Sequence, residues 1–130
     1  MAILGFIITI AILVIVHELG HYSLARLLGV DVEIFSLGFG PVLYEYQSKS
    51  NKWRISWIPL GGYVKFYQKD DTTDHADIVC FDDISPMKRV LIAIAGPSAN
   101  ILFTFMCFGL MAMYGIPTLK STIAYSNEVL

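Results

Sequence analysis

Two histidines and a glutamate near the N-terminus are the residues whose types and spacing most clearly predict chemistry. His17 and His21 are four residues apart, so on a helix with about 100° per residue they share one face and could bind one zinc ion. Glu18 lies beside them, where its carboxylate could take a proton from a water polarised by the metal and pass it to a leaving amine. The motif predicts zinc-dependent hydrolysis of an amide bond. The alternative is a hydrogen-bonded or salt-bridged cluster without metal.

The motif interrupts an apolar segment that starts at the beginning of the chain. Residues 2–16 are diluted only by Gly5 and Thr9, the helical pattern continues to Leu28, and Gly29 is a typical C-terminal cap. Such a helix would be about 40 Å long, enough for a tilted membrane crossing. A signal peptide or a buried core helix would also suit the hydropathy, but basic residues before the run and a small-residue cleavage site after it are absent. Three ionisable groups at membrane depth are costly, which favours a functional role for them.

A second apolar segment covers residues 90–114, which include no Asp, Glu, Lys, Arg or His. It is long enough to cross a bilayer. Pro97 predicts a kink, and Asn100 brings a polar side chain to membrane depth, where such groups face other protein or a water-filled cavity. Asn100 could make a helix–helix hydrogen bond at a packing kink, or it could line a functional cavity.

The composition agrees with a membrane protein. Hydrophobic residues make up 55% of the chain and charged residues 15%, against about 25% charged residues in a soluble domain. The net charge of −2 gives no basic footprint for nucleic acid. Lys and Arg are concentrated between the two apolar segments, so the positive-inside rule places that region in the cytoplasm and both chain ends on the far side of the membrane, which in a bacterium is the periplasm.

The region between the apolar segments predicts a small sheet. Residues 42–46 and 53–58 alternate between two faces, and the polar residues 47–52 suit a hairpin connection. Trp and Tyr on these faces suit the membrane interface. The acidic run that follows, which includes residues 70–77, predicts a solvated loop.

The fold class that follows is an α-helical membrane protein with a small membrane-associated β-sheet, in which two transmembrane helices are joined by a cytoplasmic-side β-rich loop. We expect a first transmembrane helix with the zinc motif over residues 1–28, a β-rich membrane-associated region with the acidic loop over 29–88, a second transmembrane helix over 89–114 and the start of a periplasmic segment over 115–130.

Four motifs, in this order, resemble those of the bacterial site-2 protease family, of the regulator-of-sigma-E protease type. They are His-Glu-Leu-Gly-His at 17–21, Phe-Ser-Leu-Gly-Phe-Gly-Pro at 35–41, Ile-Pro-Leu-Gly-Gly-Tyr-Val-Lys at 58–65 and Ala-Gly-Pro-Ser-Ala-Asn at 95–100. The resemblance covers nearly the whole chain.

The resemblance implies a zinc intramembrane metalloprotease of the bacterial inner membrane. Its substrates would be transmembrane helices of anti-sigma factors or leftover signal peptides, and its surroundings the lipid bilayer. It implies that Gly61, Gly62 and Tyr63 belong to a membrane-associated β-element that presents an edge to extended substrate, which is a reasonable way to hold an unwound helix. It also suggests that Asn100 lies near the substrate or the developing oxyanion.

One departure from the family pattern concerns the metal. Catalytic zinc takes three protein ligands, and this chain offers His17 and His21, whereas the family's third ligand is an Asp on a later transmembrane helix. We expect the isolated chain to bind zinc weakly, to lack turnover and to need a C-terminal half. Two other functions stay open. One is a catalytically incomplete membrane fragment that binds substrate helices or a partner half, and the other is passage of protons or divalent metal through a helical bundle.

Overall fold

The computed structural model describes residues 2–48, 50–69 and 78–115. Two long apolar helices flank a two-stranded antiparallel sheet, which confirms the predicted fold class. The elements, in chain order, are helix α1 (Ala2–Leu27), strand β1 (Val32–Gln47), strand β2 (Lys52–Phe66), a 3-10 turn (Phe81–Asp83) and helix α2 (Pro86–Tyr114). The predicted acidic loop at 70–77 and most of the predicted periplasmic segment lie outside the described residues.

Helix α1 ends at Leu27, one residue before the predicted end at Leu28, and Gly29 adopts the left-handed conformation of a helix cap with φ of 78°. The N–H of Gly29 donates to the carbonyl of Arg26 (3.1 Å), and the N–H of Val30 donates to the carbonyl of Ala25 (2.9 Å). These two bonds are the Schellman pattern that satisfies the last carbonyls of a helix. The chain therefore turns sharply after the metal motif and enters β1.

Both helices are long and apolar enough to cross a membrane, as judged by length and composition. Their outer faces expose large apolar side chains, among them Phe6, Leu102 and Phe105, with exposed fractions of 64%, 69% and 72%. Continuous apolar surface of this kind is unusual on a protein surrounded by water. A lipid environment is the setting that these surfaces fit.

Helix α2 begins at Pro86, three residues before the predicted start at residue 89. Proline is favoured in the first helical turn because its missing N–H would have no partner there. Pro97 lies inside the helix, which continues without a break to Tyr114. The side chain of Arg89 stabilises the residues just before α2 by donating hydrogen bonds to the backbone carbonyls of Asp82 (2.7 Å) and Ile84 (3.3 Å).

The two strands are long and bent, so that parts of them pair twice. In β1, Ile34 has two partners in β2, Lys65 and Lys52, whereas Tyr46 pairs with Trp53. The bend in β1 passes through Gly38, whose φ is 90°. As a result, residues 34–37 lie in the middle of the sheet, and residues 62–66 and 42–47 lie at its two edges.

The core lies where the end of α1 meets the sheet and the start of α2. Tyr22 of α1 packs its ring against Phe35 and Trp53, with centroids 5.5 Å and 5.3 Å away. A cluster of buried side chains continues from there to α2, namely Ala25, Val30, Val32, Ile84 and Ile92. This packing fixes the 62–66 edge of the sheet beside the histidine motif.

Candidate metal centre

The imidazoles of His17 and His21 face each other through their Nε2 atoms, which are 3.1 Å apart. The rings meet edge to face, with centroids 4.8 Å apart and planes at 81°. Two nitrogens bound tetrahedrally to one zinc at the usual distance of about 2.05 Å would be about 3.3 Å apart. The two side chains therefore fit as two of the ligands of a zinc ion, as their helical spacing predicts.

Helix α2 contacts the outer nitrogen of each ring. The Nδ1 of His21 lies 2.7 Å from the backbone carbonyl oxygen of Ile92. A carbonyl oxygen can only accept a hydrogen bond, so Nδ1 of this imidazole has the proton and the lone pair of Nε2 is available to a metal ion. A backbone carbonyl is a common partner for the second nitrogen of a zinc-binding histidine. The Nδ1 of His17 lies 3.4 Å from Nδ2 of Asn100.

Gly96 gives the two imidazoles their space. A Cβ at this position would lie 2.7 Å from Cε1 of His21 and 2.8 Å from Nε2 of His17, closer than real Cβ contacts allow. Gly20, between the histidines on α1, meets α2 in the same way, because its Cβ would lie 2.6 Å from the carbonyl oxygen of Ala95. At each of these two contacts, one of the helices contributes a glycine and so presents no side chain to the other. The sequence analysis did not place Gly96 in the site, although its position next to Pro97 in an apolar span was a usable signal.

A cavity of about 330 Å³ opens beside the histidine motif. Its lining joins α1, α2 and the sheet, and consists of Ile10, Leu13, Val14, His17, Glu18, Phe39, Gly61, Gly62 and Asn100. Gly62 lies so close to α1 that a Cβ there would be 2.9 Å from Cγ of Glu18. The structure therefore brings six of the seven predicted site residues together: five line this cavity, and His21 faces His17.

Tyr63, the seventh predicted site residue, does not line this cavity. Its ring stacks on Phe39 with centroids 6.3 Å apart and planes at 15°. Phe39 itself covers Gly61 and lines the cavity, although the sequence analysis did not single it out. Behind Tyr63, hydrogen bonds of Arg54 with Glu45 and with Tyr63 raise the pKa of Arg54. A role for Tyr63 in substrate binding stays a prediction.

A second cavity has a volume of about 260 Å³ and shares Glu18 with the lining of the first. Glu18 and His21 form one part of its lining, and the remainder consists of Val64, Phe66, Phe81, Ile92 and Ala93. Phe66 and Phe81 stack with centroids 4.9 Å apart. Glu18 thus lines both cavities. The first is also lined by Asn100 of α2, and the second by Phe81 of the 3-10 turn that precedes α2.

Across residues 2–48, 50–69 and 78–115, no group of three or more His, Cys, Asp and Glu side chains is arranged to hold a metal. The donor set at the helix crossing consists of two neutral nitrogens, which suit zinc as part of a three-ligand site. The described residues therefore fit zinc as two ligands of the usual three.

An imidazole pair and a neighbouring carboxylate lie on one membrane-length helix, beside a sheet edge, which is an arrangement that suits zinc-dependent hydrolysis among apolar helices. The sequence model of peptidase family M50 matches residues 5–129, and the chain belongs to this family. This is a family of zinc metalloproteases of the site-2 protease type.

Individual relatives agree with this membership. The chain is 41% identical over 122 residues to the regulator of sigma E protease of Haemophilus influenzae, a match that covers 92% of this chain and 28% of that protein. It is 42% identical over 137 residues to a Rickettsia conorii protein whose name includes the words zinc metalloprotease, with 98% and 38% covered. A similarly named protein of Campylobacter jejuni is 38% identical over 123 residues, with 92% and 33% covered. The chain thus spans about a third of the length of the curated relatives it matches.

Proposed function

We propose that this chain carries the first two zinc ligands and the general base of an intramembrane endopeptidase, which hydrolyses peptide bonds within transmembrane segments. The observation that carries the proposal is the position of Glu18 and His17 in the lining of one apolar cavity, together with Gly61 and Gly62 of the sheet. A peptide that entered this cavity would meet a basic carboxylate, a metal-binding nitrogen and a backbone edge at the same place.

His17 and His21 would hold the zinc through the Nε2 atoms that face each other. When bound, the metal supplies a Lewis acid that polarises the scissile carbonyl and makes a water acidic enough to react at neutral pH. Glu18 takes the proton of the attacking water and delivers it to the leaving nitrogen, which needs a carboxylate within reach of both. Because Glu18 lines two cavities, water could reach it through one and peptide through the other.

The sheet edge at residues 62–66 supports an extended peptide as the substrate. A transmembrane helix hides its amides in its own hydrogen bonds, so it must unwind locally before a carbonyl can react. An exposed strand edge compensates by offering backbone hydrogen bonds to the unwound segment. Apolar lining residues such as Ile10, Leu13 and Val14 suit a membrane-derived peptide. The Haemophilus influenzae relative is named regulator of sigma E protease. Anti-sigma factors and signal-peptide remnants are the membrane substrates that the family resemblance implies.

The third ligand would come from a polypeptide outside these 130 residues, which is the partner that the site needs. With the cation-rich connecting region in the cytoplasm, both chain ends would be periplasmic in a bacterial inner membrane. Zinc stoichiometry tests the partner directly: the chain alone should hold zinc weakly, and the chain with a supplied C-terminal half should hold one zinc tightly. Equal affinity in both samples would contradict the proposal of a partner ligand.

The activity is tested with Glu18→Gln in the protein that contains the third ligand. The amide keeps the size of the side chain but cannot act as a base, so cleavage of a membrane-helix substrate should fall by at least about 100-fold. Zinc content should be unchanged, because Glu18 is not one of the proposed ligands. Cleavage by this variant at the rate of the unmodified protein would refute the assignment of Glu18 as the general base.

A further inference from the structure

The side-chain amide of Asn100 has an unusual hydrogen-bonding state. Its Nδ2 lies 3.4 Å from Nδ1 of His17, whereas its Oδ1 is buried and has no hydrogen-bond partner among the described residues. A buried carbonyl oxygen without a donor costs free energy, and most such groups in proteins are satisfied. In this orientation the amide nitrogen has a hydrogen-bond partner, whereas the amide oxygen has none among the described residues.

With the amide in this orientation, one tautomer of His17 suits the contact. An amide Nδ2 can only donate, so Nδ1 of His17 must accept, and the proton of a neutral His17 is then on Nε2. That proton points to Nε2 of His21, 3.1 Å away, whose own proton is on Nδ1 against the carbonyl of Ile92. The hydrogen bonds are consistent with one another, but Nε2 of His17 is then blocked as a ligand.

Metal binding requires the opposite tautomer of His17. Its Nε2 must have a free lone pair, so the proton must be on Nδ1, and that N–H needs an acceptor. In this change Nε2 releases a proton to water and Nδ1 takes one up from water, so that the ring stays neutral. Rotation of the Asn100 amide by 180° exchanges its two ends and brings Oδ1 to the position beside Nδ1. The same rotation gives the buried Oδ1 a donor.

We propose that Asn100 is a positioning residue of the metal centre, whose amide rotates when zinc binds and whose Oδ1 then accepts the Nδ1–H of His17. The inference rests on the proposed function, because it requires His17 to be a zinc ligand. It assigns Asn100 to the outer nitrogen of a ligand rather than to the substrate. Helix α2 then supports both imidazoles, His17 through Asn100 and His21 through the carbonyl of Ile92.

Two substitutions separate the acceptor from the bulk of the side chain. Asn100→Leu keeps the approximate size and removes the acceptor, and Asn100→Asp keeps an acceptor oxygen. Thr104→Val is the matched control, since Thr104 lies one turn further along α2 and its hydroxyl donates to the backbone carbonyl of Asn100 (2.8 Å). The four proteins, with the third ligand present, are compared for zinc affinity by competition with a chelator, and for thermal stability.

Zinc affinity should fall about 10-fold to 100-fold in Asn100→Leu, as is typical when the partner of a ligating histidine is lost. It should stay within about threefold of the unmodified protein in Asn100→Asp and Thr104→Val. The ¹⁵N chemical shifts of His17 in the zinc-loaded protein should show a protonated Nδ1. This readout reports the tautomer, which a purely structural role of Asn100 would not set.

The outcomes distinguish this inference from the proposed function. Unchanged zinc affinity in Asn100→Leu overturns the inference alone, and so does an equal loss in Asn100→Asp, because the acceptor would then not matter. If Asn100→Leu does not fold, two measurements still test the inference. They are the zinc affinity of Asn100→Asp relative to the unmodified protein, and the tautomer of His17 in the zinc-loaded protein. Failure of the unmodified protein to bind zinc overturns the inference and the proposed function together.

Discussion

Gly96 of α2 packs against the imidazole of His21 on α1, with no side chain between the helix backbone and the ring. A Cβ at Gly96 would lie 2.7 Å from Cε1 of His21, and 2.8 Å from Nε2 of His17. The space that two converging imidazoles need is thus created by a residue without a side chain on the opposite helix. The metal centre depends on the distance between the two helices as much as on the motif itself.

Gly96→Ala should therefore weaken zinc binding. The added methyl group must displace one or both imidazoles from their facing positions, and overpacking of this kind typically costs about 1–3 kcal/mol. We expect zinc affinity to fall by at least about 10-fold, measured by chelator competition. Gly109→Ala, in the same helix, is the control because no atom of the described residues lies within 4 Å of its added Cβ. If Gly96→Ala binds zinc as tightly as Gly109→Ala, the tight fit has no role in the metal centre.

Gly20→Ala should separate the helices at their crossing. Its Cβ would lie 2.6 Å from the carbonyl oxygen of Ala95 and 2.8 Å from Cβ of Ala99, and neither can rotate away. We expect a loss of about 1–3 kcal/mol in stability, seen as a lower unfolding temperature in detergent. Gly5→Ala on the same helix is the control, since its added Cβ has no neighbour within 4 Å in the part of the chain that the structure describes. An equal unfolding temperature in the two variants would show that the close contact of Gly20 with α2 does not contribute to stability.

Asp31→Ala should increase the mobility of the segment that begins at residue 78 and leads to α2. One carboxylate oxygen of Asp31 accepts from Arg26 (2.7 Å), and the other accepts from the backbone N–H of Val79 (3.0 Å). Without the carboxylate, the amide of Val79 should exchange its hydrogen about 10-fold faster, in line with the loss of a charged hydrogen bond. Glu45→Gln, which removes one negative charge at the far edge of the sheet, should leave this exchange rate unchanged. Slow exchange at Val79 in Asp31→Ala would contradict the proposed role of Asp31.

Tyr67 should make stability depend on alkaline pH. Burial raises its pKa above the usual value of 10.0, and the negative charges of Glu33 and Asp31 add to the rise. The folded state then holds the phenol proton more tightly than the unfolded state, so this contribution is complete below about pH 10 and is lost as the pH rises through the raised pKa. Unfolding temperatures at about pH 9 and about pH 11 should differ less in Tyr67→Phe than in the unmodified protein. An identical difference in both proteins would rule out this contribution of Tyr67.

Several features of the fold could be predicted because they depend on residues close together in the chain. The end of α1 follows from Gly29, which can adopt the left-handed conformation that a helix cap requires. The shared face of His17 and His21 follows from helix periodicity. The sequence analysis missed the start of α2 at Pro86 by three residues, because it relied on hydropathy rather than on the preference of proline for the first turn.

The roles of Gly96 and Phe39 could not be predicted, since they arise from contacts between distant segments. Gly96 meets residues that are more than 70 positions away in the chain. Phe39 lies over Gly61 only because β1 bends back across β2. No local pattern fixes the register of two bent strands or the depth at which two helices cross.

The sequence alone determined which atoms could bind a metal and which segments are apolar enough for a membrane, since both depend on residue type and on the fixed geometry of a helix. Only the tertiary structure decided that an asparagine and a backbone carbonyl of α2 meet the outer nitrogens of the two histidines. It also decided that a glycine leaves room for their inner nitrogens. The physical reason is that hydrogen bonds and steric exclusion act over about 3 Å, and folding alone brings residues so far apart in the chain within that distance.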